Sequence, residues 1–346
     1  MVRWIAVLLA FAALPAAAQT DHAAIAARAL NQTILPGFER LAATTAALAA
    51  AADAACLGEG AIDAAPVKAA FDAAFDAWVG VEAFRFGPLE EGNAGFGLAF
   101  WPDTKGATPR TLQAMIAGQD PVVDDPAAFE GVSVAARGLF ALDWLLFDPA
   151  AGEIAAGSYS CRLLEAITRD AAATAEAVLA RWRDPWAGIL TGAGAAENPV
   201  YLATDESTRA LYSALTDALQ ADIDLRLGRP MGTFDRPQPL RAEARRSGRS
   251  LRNVELSLKA LRGFAATAFG PAIAAEDAAA VDGTFEAALA GVGRVGEPIE
   301  VAVATPQGRI RVESLQTVAR HISTEVAEHI GPKIGVTSGF NALDGD

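Results

Sequence analysis

Eight alanine-rich amphipathic runs leave this chain one ready way to fold, which is helix packed on helix. They fall at about Ala23 to Cys56, Pro66 to Phe84, Val132 to Phe147, Ser158 to Arg183, Thr204 to Leu227, Gly248 to Phe269, Glu276 to Val292 and Val312 to Ile330. In the sixth, Leu251, Val254, Leu258 and Leu261 recur at three- and four-residue steps, with Arg252 and Lys259 off that stripe. Such a helix has one face to bury. The predicted fold class is all-α.

Two stretches break the pattern. Phe86 to Asp125 is rich in glycine and proline and holds only the short helical candidate Pro109 to Ala117; a loop this long in a compact domain is functional or ordered by its own packing. Pro185 to Pro199 lacks periodicity and carries Gly188, Gly192 and Gly194, which places a domain junction there. The expected division is residues 19–190 and 191–346. In the second domain Ile299, Val301 and Val303 alternate, Thr305-Pro306-Gln307-Gly308 resembles a turn, and Ile310 and Val312 alternate again. That pattern predicts a small β-hairpin.

The first residues have the form of a secretory signal: Arg3, an apolar run from Trp4 to Leu14, Pro15, then Ala16-Ala17-Ala18 before Gln19. Residues 1–18 are the expected signal peptide, with cleavage after Ala18. The apolar run is too short for a comfortable membrane span, so the mature chain is not expected to be transmembrane. A formal net charge of -14 argues against nucleic acid as a partner. In an oxidising compartment Cys56 and Cys161 form either a disulfide or two buried thiols. A bridge closing a loop of roughly 100 residues is worth about 4.7 kcal/mol in the chain-entropy model.

The third run is apolar nearly all round and contains one acid, Asp143. An ionised carboxylate inside such a buried helix needs a cation, a metal or hydrogen-bond donors. Phe140, three residues earlier, shares its face and can ligate nothing.

The order Gly138-Leu139-Phe140-Ala141-Leu142-Asp143 resembles the G-x-H-x-x-E motif of the imelysin family. Arg85-Phe86-Gly87-Pro88-Leu89, Phe100-Trp101-Pro102-Asp103, Arg246-Ser247-Gly248-Arg249-Ser250-Leu251 and the ending Gly335 to Asp346 resemble the family's other signatures in the same order. The resemblance implies two pseudo-duplicated four-helix bundles in an exported, periplasmic protein linked to iron, belonging to a group named as metallopeptidases. It implies a divalent metal or iron as cofactor, yet of the motif only Gly138 matches fully and Asp143 in part. Phe140 stands where the family has its histidine ligand. Asp143 is thus the one metal-ligand candidate carried over, and the motif is degenerate.

Other constellations bear on the same region. Trp78, Glu82 and Arg85 recur at a helix end, either as a structural ion pair or as part of an emptied metal pocket reused for a ligand. Arg85 is the expected countercharge for Asp143. Trp101 anchors the glycine-rich loop, and Asp103 caps the helix region near Pro109 or lines the pocket. His321, Glu325 and His329 are spaced four apart but drift around the last helix, and they lack the closer H-E-x-x-H arrangement. Arg236 to Arg262 carries eight basic residues against Glu243 and Glu255, suited to salt bridges between domains or to an anionic ligand or partner.

A zinc peptidase needs about three protein ligands and an open water position, which these residues do not supply. The expected function is an exported binding protein connected with metal handling, its metal site weakened or lost. The alternative is a metal-free module that takes a small ligand or a periplasmic or membrane partner. Its expected pocket is Glu82, Arg85, Trp101, Asp103, Gly138, Phe140 and Asp143.

Overall fold

The computed structural model describes residues 20–336. The signal segment and residues 337–346 of the C-terminal match lie outside them. The main helices are α1 (His22–Ala29), α2 (Leu35–Cys56), α3 (Ala64–Val79), α4 (Ala107–Gly118), α5 (Gly138–Phe147), α6 (Tyr159–Arg181), α7 (Glu206–Ala221), α8 (Ser250–Phe264), α9 (Ala275–Val295) and α10 (Pro306–His329). All eight expected runs are helical. Among the described residues, β-pairing is limited to the isolated bridges Ala61 with Ala155 and Thr233 with Arg236.

The helices pack in two groups. In one, α2 lies against α3 and α6, and α5 is buried between α3, α4 and α6. In the other, α9 packs along α10 and α8, with α7 against α8 and α10. Helix α1 packs on α7 and is tied down where Arg28 Nη2 donates to the Ala268 carbonyl at 3.0 Å. Trp78, Trp144, Trp182, Phe38, Phe71, Phe75, Phe264 and Phe285 are fully buried. Each such side chain contributes about 1.5–3 kcal/mol by leaving water.

The expected hairpin is absent. Ile299–Ala302 is a short helical turn and α10 begins at Pro306. Thr305 Oγ1 accepts the Gly308 N–H at 3.1 Å, so Thr-Pro-Gln-Gly is a helix start with proline in the first turn. A Cβ on Gly308 would stand 2.2 Å from the Ala302 carbonyl oxygen, which is why glycine occupies this close crossing. Three alternating apolar residues are too few to separate strand from helix.

The third run also starts later than its apolar pattern suggests. Arg137 is extended and Gly138 has φ +68°, a conformation that favours glycine. A Cβ at Gly138 would fall 2.2 Å from the Leu98 carbonyl oxygen and 2.4 Å from that of Gly97. The glycine of the motif therefore lets the glycine-rich loop touch the start of α5, and so sets where Phe140 and Asp143 face.

Cys56, at the end of α2, and Cys161, in the first turn of α6, form a disulfide across a sequence separation of 105. Nearby, the Ile62 N–H donates to the Ile154 carbonyl at 3.0 Å, so the segment after α2 and the segment before α6 are tied together. Replacing both cysteines by serine is expected to lower the unfolding free energy by up to about 4–5 kcal/mol. Urea denaturation of oxidised wild type against the double variant measures it; equal midpoints would remove the bridge's stabilising role.

Candidate functional site

Asp143 lies one turn into α5 and is 1% exposed. Its Oδ1 accepts the Ser247 backbone N–H at 3.0 Å and the Ser247 hydroxyl at 2.6 Å. Its Oδ2 has no hydrogen-bond partner and lies 3.7 Å from Arg246 Nη1. Burial pushes the Asp143 carboxyl above its ordinary range, opposed by the Ser247 bonds and the Arg246 and Arg245 charges. The countercharge expected from Arg85 comes instead from Arg246. Arg85 lies 3.9 Å from Glu82 and over the Trp78 ring at 5.8 Å.

Two cavities explain this separation. The first, about 380 Å³, is lined by Trp101, Asp103, Phe140 and Asp143 from the first half of the chain, and by Arg229, Arg241, Arg245 and Arg246 from the second. The second, about 470 Å³, is lined by Glu82, Arg85, Phe86, Asp217 and Arg226. They share only Trp101 and Pro102. The structure thus brings four of the expected pocket residues together, puts Glu82 and Arg85 beyond Trp101, and leaves Gly138 with its backbone role.

Phe140 is fixed by its own kind. It stacks on Trp101 with centroids 6.2 Å apart and planes 13° from parallel, and meets Phe75 edge-on at 5.4 Å. Asp103 caps α4 by accepting the N–H groups of Ala107 and Thr108, both at 2.8 Å. Burial opposes ionisation of Asp103, but these donors hold its carboxyl below the usual range.

Glu82 belongs to a buried charge cluster that sequence patterns did not reveal. Arg226 donates to Glu82, to Asp222 at 2.7 Å and to both oxygens of Glu243 at 2.7 and 3.1 Å. Ser257 donates to Asp222 at 2.8 Å and Asn253 to Glu243 at 3.0 Å. Asp222 and Arg226 lie in a widened i→i+5 turn, Asp222–Gly228, a distortion found often at functional sites. Burial drives the Glu82 carboxyl up to about 7; Arg226 pulls it down and Glu243 pushes it further up. The four-residue spacing of Asp222 and Arg226 was the one available signal.

The basic island divides by role. Arg249, 3% exposed, pairs with Asp72 at 2.5 Å and with Asp76, while Arg252 Nε donates to Asp76 at 2.9 Å; both reach across to α3. Arg246 pairs with Asp148 at 2.6 Å, and Arg262 with Asp282 at 2.5 Å. His329 Nδ1 donates to Asp277 at 2.7 Å, and His321 and His329 each approach Glu325, at 3.4 and 3.3 Å. These contacts join side chains on and beside α10 and do not gather into a metal-ligand set.

A metal fits this arrangement poorly. Position 140 offers a phenyl ring, one oxygen of Asp143 is engaged by Ser247, and the other faces a guanidinium. Among the described residues, no group of three or more His, Cys, Asp or Glu side chains is placed to hold a metal ion.

The imelysin family model (Peptidase_M75: Imelysin) matches residues 34–325. An imelysin-like protein from Psychrobacter arcticum 273-4 has a similar structure, with TM-score 0.72 and 14% identity over 93% of this chain and 99% of that one. A putative iron-regulated protein A precursor from Parabacteroides distasonis ATCC 8503 is also similar, with TM-score 0.59 and 14% identity over 90% and 96%. No curated protein matches the chain.

Between pH 4.5 and about 7 the folded chain keeps a proton on Glu82 that the unfolded chain has lost. Its contribution to stability is therefore full below about 4.5 and is lost as pH rises through 7. Glu82→Gln is expected to gain stability relative to wild type across that window and to run parallel to it below; urea melts from pH 4 to 8 measure the difference. At Asp143, alanine strands the Ser247 donors and is expected to cost about 1–3 kcal/mol, while asparagine, which keeps an acceptor, costs less. Equal melting temperatures for the two variants would show that the Ser247 bonds carry no stability.

Proposed function

From the premise that this chain belongs to the imelysin family, we propose that it is an exported ligand-binding member whose motif pocket no longer depends on metal ligation. The observation that carries this reading is the Phe140 ring, stacked on Trp101 at the motif's ligand position, beside an Asp143 already bonded to Ser247. Filling a ligand position with an aromatic removes metal affinity but leaves a concave, partly apolar site with a few fixed polar groups, the usual make-up of a small-molecule pocket. Export is supported by the signal-like segment before Gln19 and by the disulfide.

A connection with iron rests on the name of the Parabacteroides distasonis relative and on the family. In this chain it does not run through a histidine at position 140. Peptide hydrolysis by a metal-bound water needs ligands and an open coordination site, which Phe140 and the engaged Asp143 do not provide. The proposed division into residues 19–190 and 191–346 puts the pocket between two domains.

Elemental analysis of the chain purified from the exported fraction is expected to find no stoichiometric transition metal, in wild type and Asp143→Ala alike. Intact mass is expected to begin at Gln19. A thermal-shift screen of small molecules is expected to find ligands whose effect disappears in Trp101→Ala. One equivalent of metal lost in Asp143→Ala would overturn the metal-independent reading.

A further inference from the structure

The sign of the charge in the Trp101–Phe140 cavity identifies its ligand more narrowly, an inference that rests on the binding reading above. Elsewhere in the fold several buried or half-buried guanidiniums meet carboxylates: Arg137 bonds both oxygens of Asp170 at 2.9 and 2.8 Å, Arg226 meets three acids, and Arg249 meets two. In the cavity lining the pattern inverts. Arg229, Arg241 and Arg245 face one space of about 380 Å³, and among the described residues none of the three forms a salt bridge. They stand this way in a chain whose net charge is -14, so acids were available to pair them.

The acids near the cavity are committed elsewhere. Asp103 is held by two backbone N–H groups, Asp143 by Ser247, and Glu300, within the field of Arg245, by the Ser250 hydroxyl at 2.5 Å. Arg246 completes the wall but is neutralised by Asp148. Arg229 is partly buried, and burial together with the Arg241 charge weakens its hold on its proton. Arg229 and Arg245 are half-buried and Arg241 is exposed at the rim, and like charges gathered around one hollow repel one another. An anion brought among them relieves that repulsion and accepts several guanidinium hydrogen bonds, often in bidentate pairs.

We propose that this cavity binds a small multivalent oxyanion, a di- or tricarboxylate or an organic phosphate, through Arg229, Arg241 and Arg245, with the Trp101–Phe140 stack as its apolar floor. The volume suits a compact ligand, near the lower end of small-molecule sites.

Thermal shift and isothermal titration calorimetry on the mature chain test this with citrate, malate, inorganic phosphate, glucose 6-phosphate and glucose, each against sodium chloride at matched ionic strength. At least one of the four anions is expected to raise the melting temperature beyond the salt control, and glucose is not. The response to carboxylates against phosphates assigns the oxyanion. The double variant Arg241→Met/Arg245→Met is expected to weaken binding by at least tenfold while melting, without ligand, no lower than wild type, because a repulsion has been removed. Should the double variant fail to fold, Arg229→Met alone is expected to weaken binding in the same direction. Arg320→Met, on the exposed face of α10, is the control and is expected to bind as wild type.

Anions no better than salt, or binding unchanged in the arginine variants, would overturn the oxyanion proposal. A neutral ligand lost in Trp101→Ala but retained in the arginine variants would overturn it and leave the binding reading standing. The absence of any ligand together with a stoichiometric metal would overturn both.

Discussion

One guanidinium, that of the buried Arg226, joins the two helix groups. It takes Glu82 from the turn after α3, Asp222 from its own widened turn and Glu243 from the segment before α8. Three acids around one arginine leave negative charge in excess, and the chain answers with Ser257 and Asn253 as neutral donors and with a proton-retaining Glu82. Removing the arginine from such a buried set costs about 3–5 kcal/mol, because the carboxylates left behind remain desolvated. The cluster therefore fixes registry between the segments that carry the pocket: the turn after α3 on one side, and the Arg229–Arg249 stretch on the other.

A second line of contacts between the two helix groups runs to the pocket floor. Arg249 pairs with α3 and sits over the Phe75 ring at 5.0 Å; Phe75 meets Phe140 edge-on, and Phe140 stacks on Trp101. Phe140 is thus the middle ring of a sequence that begins at a salt bridge between the two halves. An imidazole at this position would have lost part of that aromatic packing, which is worth about 0.5–1.5 kcal/mol per pair beyond area. A phenyl ring here adds to the floor of the pocket and offers no lone pair to a cation.

The helices were legible because a buried stripe repeats locally. Leu251, Val254, Leu258 and Leu261 announce α8 without any knowledge of its neighbours, and three of them are fully buried while Leu251 packs at the edge. The motif region was legible in type but not in partner: a lone acid in an apolar helix must meet donors, yet nothing in the order of residues says that Ser247, and not Arg85, supplies them. The Arg226 cluster unites residues 82, 222, 226 and 243, and only the Asp222–Arg226 spacing is local enough to be seen in sequence. The hairpin misreading has the same origin: Thr-Pro-x-Gly starts a helix as well as a turn, and a close crossing at Gly308 settles which.

What a pocket binds follows from which of its charges the protein has already satisfied. A cation site leaves its carboxylates free and turns guanidiniums away; here both acids in the lining accept protein hydrogen bonds, while Arg229, Arg241 and Arg245 beside them form no salt bridge among the described residues. Charge that is partly withdrawn from water and left without a salt bridge is the expensive quantity, and at the half-buried Arg229 and Arg245 it is positive. The same segment supplies Arg249 and Arg252 to α3, so the chain had geometry and acids with which to neutralise its neighbours. That Arg241 and Arg245 lie only a few residues away and remain unmatched gives the cavity a preference that the family motif alone does not convey: an occupant that brings negative charge.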